Sequence, residues 1–379
     1  MSTRVENINK EIIEWAIIRN GNSLDDFYLH NPNVKSWIDG EKVPTVKQLE
    51  DFTHKVHVPF GYMFLAEPPE EKIPLPFFRT IDGKANDRVS LNVFHTIQII
   101  QERQNWLSDY MTELALDTLD FVGKFGIHDD YKIIVSEIRN TLNIETNWAS
   151  KHETWEKALD FLTNRIEDVG IIVTFNGIVG TNTKRPIDVD ECRGFVLVND
   201  IAPFLFINSA DAKAAQMFTL VHELAHVWLG KSAGFDNQNL LPANEPLELL
   251  CDKIAAEFLV PEEDFMKMWK NGITDYRDLG KMFKVSPIVI VRRALDMELI
   301  SKADFFKFYK AYMFAFRERK NKQSSGGDFY ATAKKRVSLR FASFIRNAID
   351  ENKLLYRDAY KLTNLKGDTF NKFMTEYLY

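Results

Sequence analysis

The run Phe218-Thr219-Leu220-Val221-His222-Glu223-Leu224-Ala225-His226-Val227-Trp228-Leu229 constrains this chain more than any other, because it sets two histidines and a carboxylate inside an apolar helical stretch. Residues four apart share a helix face, so His222 and His226 can both aim an imidazole nitrogen at one tetrahedral Zn²⁺. Glu223 then lies beside the metal. From there it can take a proton from a water attacking a carbonyl and return it to the leaving amine. Burial of such groups needs compensating partners, and a cation supplies them. Gly230 is placed to end the helix as a left-handed cap.

A catalytic zinc site keeps three protein ligands and an open position, so a third ligand is expected downstream. Glu248 is the best candidate. It opens the helical segment 248–260, which Pro261 stops. Asp252 is again four residues on, where it can accept the outer N–H of a ligating histidine and fix its tautomer. Glu245 and Cys251 are rival ligands, Glu245 expected in the preceding loop and Cys251 readable as a small buried hydrophobe.

Two segments together carry a resemblance. Phe218-Thr219-Leu220-Val221-His222-Glu223-Leu224-Ala225-His226, followed by Glu248-x-x-x-Asp252-x-x-Ala255-Ala256-x-Phe258-Leu259-Val260-Pro261, resembles the ImmA/IrrE metallo-endopeptidases. The resemblance implies a core similar to thermolysin-type zinc peptidases, with His222, His226 and Glu248 as zinc ligands and Glu223 as general base. It also implies a DNA-binding repressor or antitoxin-like protein as substrate, in phage, mobile-element, toxin-antitoxin or stress regulation. Asp252 stands where many relatives carry Asn, and Cys251 where they carry Ala. A second reading keeps the zinc fold as a sensor or docking platform in a non-proteolytic regulator.

The rest of the chain fits a multidomain α+β protein, mainly helical. Residues 1–66 read as a small helical domain. Within it, Trp37-Ile38-Asp39-Gly40-Glu41-Lys42-Val43-Pro44-Thr45 resembles the turn after the third helix of XRE-type helix-turn-helix domains. DNA readers present Arg and Lys to phosphates, yet this stretch sets Lys35 and Lys42 against Asp25, Asp26, Asp39, Glu41, Glu50 and Asp51. It therefore reads as a docking or self-association module, with DNA binding as the other possibility. A proline-rich linker is expected over 67–86, a metallopeptidase domain with a trailing helix-turn-helix-like unit over 87–300, and a basic helical region over 301–379.

Amphipathic helices are expected at 93–111, 131–142 and 155–165, then strands at 169–175, 193–198 and 203–208 forming a small antiparallel sheet. The strand at 203–208 would take a substrate backbone by strand addition if it lies at an edge, and would not if interior. Basic clusters, Arg317, Arg319, Lys320 and Lys322, then Lys334, Lys335, Arg336 and Arg340, flank Ser324-Ser325-Gly326-Gly327. They suit nucleic acid, an acidic protein surface or simply a solvated face, and any nucleic-acid affinity is expected to map here. The 48 basic residues against 54 acidic ones give a net charge of −6, which argues against indiscriminate nucleic-acid binding. Two cysteines are too few for a disulfide framework, and no apolar run could span a bilayer, so a cytoplasmic protein with reduced thiols is expected.

Overall fold

The structure, a computed structural model, describes residues 3–6, 8–71, 89–235, 245–320 and 329–378. The chain divides into two compact units, one of residues 1–74 with 86–95, the other of 75–85 with 96–379.

The first unit holds α1 (Lys10–Arg19), α2 (Leu24–His30), α3 (Pro32–Ile38) and α4 (Val46–Val56). Each start has a local cause. Asn9 and Ser23 accept backbone N–H groups at the starts of α1 and α2, Pro32 opens α3, and Thr45 with Gln48 forms a reciprocal capping box on α4. Their apolar faces close on Ile12, Ile13, Trp37, Leu49 and Phe52. Most of the connector over 67–86 lies outside the described residues, as do Lys322 and the Ser324–Gly327 turn.

The second unit is mainly helical around a small sheet. After α5 (Leu91–Glu113), which enters this unit from Thr96 on, come α6 (Tyr131–Leu142) and α7 (Trp155–Asp168). The strands follow: β1 (Ile172–Phe175), β2 (Ile178–Val179), β3 (Asn182–Pro186), β4 (Gly194–Leu197) and β5 (Phe204–Ile207). Helix α8 (Lys213–Leu229) leads into β6 (Ala233–Phe235), then α9 (Pro246–Leu259), α10 (Glu262–Lys270), α11 (Tyr276–Phe283) and α12 (Pro287–Asp296). The chain continues through α13 (Lys302–Lys320), α14 (Phe329–Val337), α15 (Leu339–Asp350), α16 (Tyr356–Thr363) and α17 (Gly367–Tyr377).

The sheet is mixed, which corrects the expected antiparallel one. Its order is β1-β5-β4-β6, with β1 parallel to β5 and the other pairs antiparallel. The Asn176-Gly177 turn does not fold β1 back on itself. It feeds the separate β2–β3 ribbon, and the long path from β1 through β4 lets β5 return in the same direction as β1. Strand β5 is interior, hydrogen-bonded on both sides with all four residues buried, so it offers no edge to a substrate. Its unbroken apolar run Phe204-Leu205-Phe206-Ile207 is the pattern of a strand covered on both faces.

The second half of the basic C-terminal run is turned onto the protein rather than forming a free basic stripe. Lys335 pairs with Asp160, Arg336 donates to Asn176, Lys334 lies over Tyr377 and Arg340 over Phe344. Among the described residues, no helix is long and apolar enough to cross a membrane.

Candidate metal centre

Helix α8 is held at both ends. Near its start, Arg193 pairs with Asp211 at 2.8 Å, both buried, while Gln216 Nε2 donates to the carbonyls of Ser209 and Asp211. At its end Gly230, at φ 65°, takes the left-handed cap conformation expected from sequence. The segment 121–125 completes that end. Gly123 and Phe125 donate to the carbonyls of Val227 and Trp228, and Phe121 stacks on Trp228 at 4.5 Å. Helix α9 packs against α8, and Arg139 and Arg293 donate to the carbonyls of Phe258 and Val260 at its C-terminal end.

These two helices bring the four expected groups of the metal centre together. His222 Nε2 lies 3.1 Å from Glu248 Oε2, and His226 Nε2 lies 3.2 Å from Glu248 Oε1. One carboxylate thus spans both imidazoles. Behind them, Asp252 Oδ1 is 3.0 Å from His222 Nδ1, the outer nitrogen, as its place one turn beyond Glu248 predicts. The histidine rings sit 5.2 Å apart between centroids. His222, Glu223 and His226 are fully buried.

The buried imidazoles and carboxylates perturb one another strongly. Burial opposes charge on His222, but hydrogen bonds with Asp252 and Glu248 and their charges outweigh it, holding its pKa at about 10. Burial would raise Glu248, yet its hydrogen bond with His222 and the charges of both histidines bring it well below the usual carboxylate range. His226 is pushed down, chiefly by burial. Glu223 is raised far above its ordinary range by burial and by the Glu248 charge, against a lowering from His222.

The fit to a metal rests on atoms without partners. Both carboxylate oxygens of Glu223, both ring nitrogens of His226 and Oε1 of Glu248 are buried without a hydrogen bond, the 3.2 Å His226–Glu248 approach being misaligned for one. Buried polar atoms are ordinarily satisfied, so their convergence marks a place for a cation and its water. His222, His226 and Cys251 also lie close enough for one ion, each offering an atom within 4.8 Å of the others. Cys251 is the poorer donor of the two on α9. Its thiol is pushed well up by burial and by neighbouring carboxylates, whereas Glu248 is already ionised. The other rival, Glu245, is the residue before α9 and is exposed.

Gly194, at the start of β4, escaped the sequence reading. A Cβ built there would stand 2.6 Å from Thr219 Cγ2, 2.9 Å from the Phe206 carbonyl and 3.4 Å from Glu223 Cγ. Only a glycine lets the strand lie this close to α8 beside Glu223. The dipeptide Arg193-Gly194 thus fixes α8 twice, through the Asp211 ion pair and through close approach. Nothing local in the sequence distinguishes this glycine, because its partners are 12 to 29 residues away.

Residues 166–295 match the Peptidase_M78 family, described as the IrrE N-terminal-like domain, which supports the ImmA/IrrE family and a metallopeptidase of that type. Residues 337–376 match a domain of unknown function, DUF8813. No curated protein and no solved structure matches the chain. The matched segment runs from the end of α7 through α12 and contains the whole histidine–carboxylate cluster.

Proposed function

We propose that the chain is a zinc-dependent endopeptidase of narrow specificity that cuts a DNA-binding repressor or antitoxin-like protein and so controls transcription. The observation that carries this reading is Glu223: fully buried, with neither carboxylate oxygen hydrogen-bonded, next to two imidazoles bridged by Glu248. A carboxylate serving only the fold would be expected to have partners.

His222, His226 and Glu248 would hold the zinc, and Asp252, close to Nδ1 of His222, would fix that ring's tautomer so that Nε2 serves as the ligand. Bound there, zinc supplies a Lewis acid and lowers the pKa of water. Glu223 removes a proton from the attacking water and passes it to the amine nitrogen as the C–N bond breaks. Burial alone favours the protonated form of Glu223, and a cation held by the neighbouring ligands would oppose that and favour the ionised, proton-accepting form. With β5 interior, β1 and β6 are the terminal strands of the sheet, and β6, which follows α8 directly, is the candidate edge for a substrate backbone. The acid-rich first unit is a helix-turn-helix-like docking module, read from its capped helices and charge balance.

The test is made in cells that carry the wild-type chain or the Glu223→Gln variant together with the helix-turn-helix protein encoded nearest to it. The wild type removes that protein under inducing conditions and the variant leaves it intact. Equal loss with both chains contradicts proteolysis and favours a non-proteolytic regulator.

A further inference from the structure

We propose that a cavity on the second unit, between Arg103 of α5, Arg336 of α14 and Asn364 after α16, binds a small oxyanion: inorganic phosphate or the terminal phosphate of a small ester. The cavity is small, about 10 Å³ measured as the space open to the centre of a water-sized sphere, and partly open to solvent, so an ion would sit at its mouth; its lining also includes Gly180, Thr181 and Thr363. It lies apart from the histidine cluster in sequence and in its lining residues.

Its charge is uncompensated. Arg103 is 4% exposed, and its described hydrogen bonds go to two neutral acceptors, Nε to the Leu362 carbonyl and Nη1 to the Arg336 carbonyl. Arg336 gives its Nε to Asn176 Oδ1, also neutral. No acidic residue lines the cavity. Burial accordingly lowers the proton affinity of both guanidiniums, Arg103 to about 10, with no carboxylate acting in the other direction. The side-chain nitrogen of Asn364 is also buried without a hydrogen bond. Buried guanidinium charge is normally paired with a carboxylate or a phosphate, and planar donors of this kind suit an oxyanion.

The surroundings link three parts of the chain. Asn176 joins the peptidase-like segment to Arg336 and holds the Gly180 carbonyl through its Nδ2, while Arg103 stacks on Phe341 at 5.8 Å. An anion bound here would tie α5 and the β2–β3 turn to the C-terminal helices 337–376, the segment of unassigned function. Ligand binding to the folded state alone raises stability by mass action.

The test uses the purified full-length chain and thermal unfolding in rising inorganic phosphate, against sodium chloride of equal ionic strength, with glycerol 3-phosphate as a parallel arm. Phosphate should give a saturable rise in Tm on the order of a few degrees that chloride does not reproduce. Tighter half-saturation by glycerol 3-phosphate assigns an ester, and tighter half-saturation by phosphate assigns the free anion. Arg336→Gln should raise the half-saturating concentration by roughly 10-fold or more, the usual loss for a hydrogen bond to a charged group. Asn364→Asp places a carboxylate beside the arginines, so it should raise Tm without phosphate and abolish the phosphate response. The response should persist in His222→Ala. Absence of a saturable rise overturns the proposal, and so does a rise that survives both cavity variants or disappears only in His222→Ala, which would place the anion at the histidine cluster.

Discussion

Gly194 and Glu223 approach so closely that a methyl group on the glycine would stand 3.4 Å from the glutamate's Cγ, and nearer still to Thr219 and the Phe206 carbonyl. The sheet thereby sets the position of the carboxylate through van der Waals contact. Gly194→Ala should push β4 and α8 apart, costing about 1–3 kcal/mol in stability. Catalytic groups tolerate little displacement, so kcat should fall by roughly 100-fold while zinc content is kept. Zinc analysis beside peptidase assay separates the two effects. Full activity in the alanine variant contradicts a positioning role.

The ligand set is testable atom by atom. Either His222→Ala or His226→Ala should abolish stoichiometric zinc, as should Glu248→Ala, because each removes one of three donors. Asp252→Ala should weaken binding by about 10–100-fold, the usual effect of losing the partner that orients a ligand. Cys251→Ala should leave zinc stoichiometry unchanged. Loss of zinc in Cys251→Ala with retention in Glu248→Ala would exchange their roles.

Glu167 gives a pH dependence that is separate from the metal. Its carboxylate accepts from Ser338 Oγ at 2.5 Å, and burial raises its pKa above the ordinary 4.5 against the opposing hydrogen bonds of Ser338 and Val173. A raised folded pKa means that the folded state binds the proton more tightly than the unfolded one. The resulting stability is fully present below about pH 4.5 and is lost as pH rises through the raised value. Glu167→Gln should remove that part of the slope, so the Tm difference between variant and wild type grows in the variant's favour as pH is raised toward neutrality. A pH-independent difference contradicts this assignment.

The residues of the candidate site were legible because their chemistry is local. His222, Glu223 and His226 fall within five consecutive positions, and Glu248 and Asp252 repeat the same four-residue spacing on α9, so helical geometry alone puts each pair on one face. Helix positions were legible for the same reason: α6 spans Tyr131–Leu142, the expected range. Sheet direction was not, because it depends on how the chain travels between β1 and β5, a separation of about thirty residues that local pattern does not encode. Strand β5 reads alike as an edge or an interior strand until its neighbours are known. Gly194 and Arg103 were invisible for a related reason, since each acts through partners distant in sequence. The two C-terminal basic clusters read equally as a partner-binding surface or a solvated face, whereas Lys335 and Arg336 of the second turn onto Asp160 and Asn176.

The central claim is that Glu223 performs chemistry rather than holding zinc or the fold, and the most direct measurement is made on purified Glu223→Gln. Zinc per chain and thermal unfolding are measured beside cleavage of the helix-turn-helix partner. The predicted result is about one zinc per chain and an unfolding temperature no lower than wild type, with cleavage reduced by at least about 100-fold, the range for loss of a general base. Cleavage at the wild-type rate with zinc bound would contradict the account.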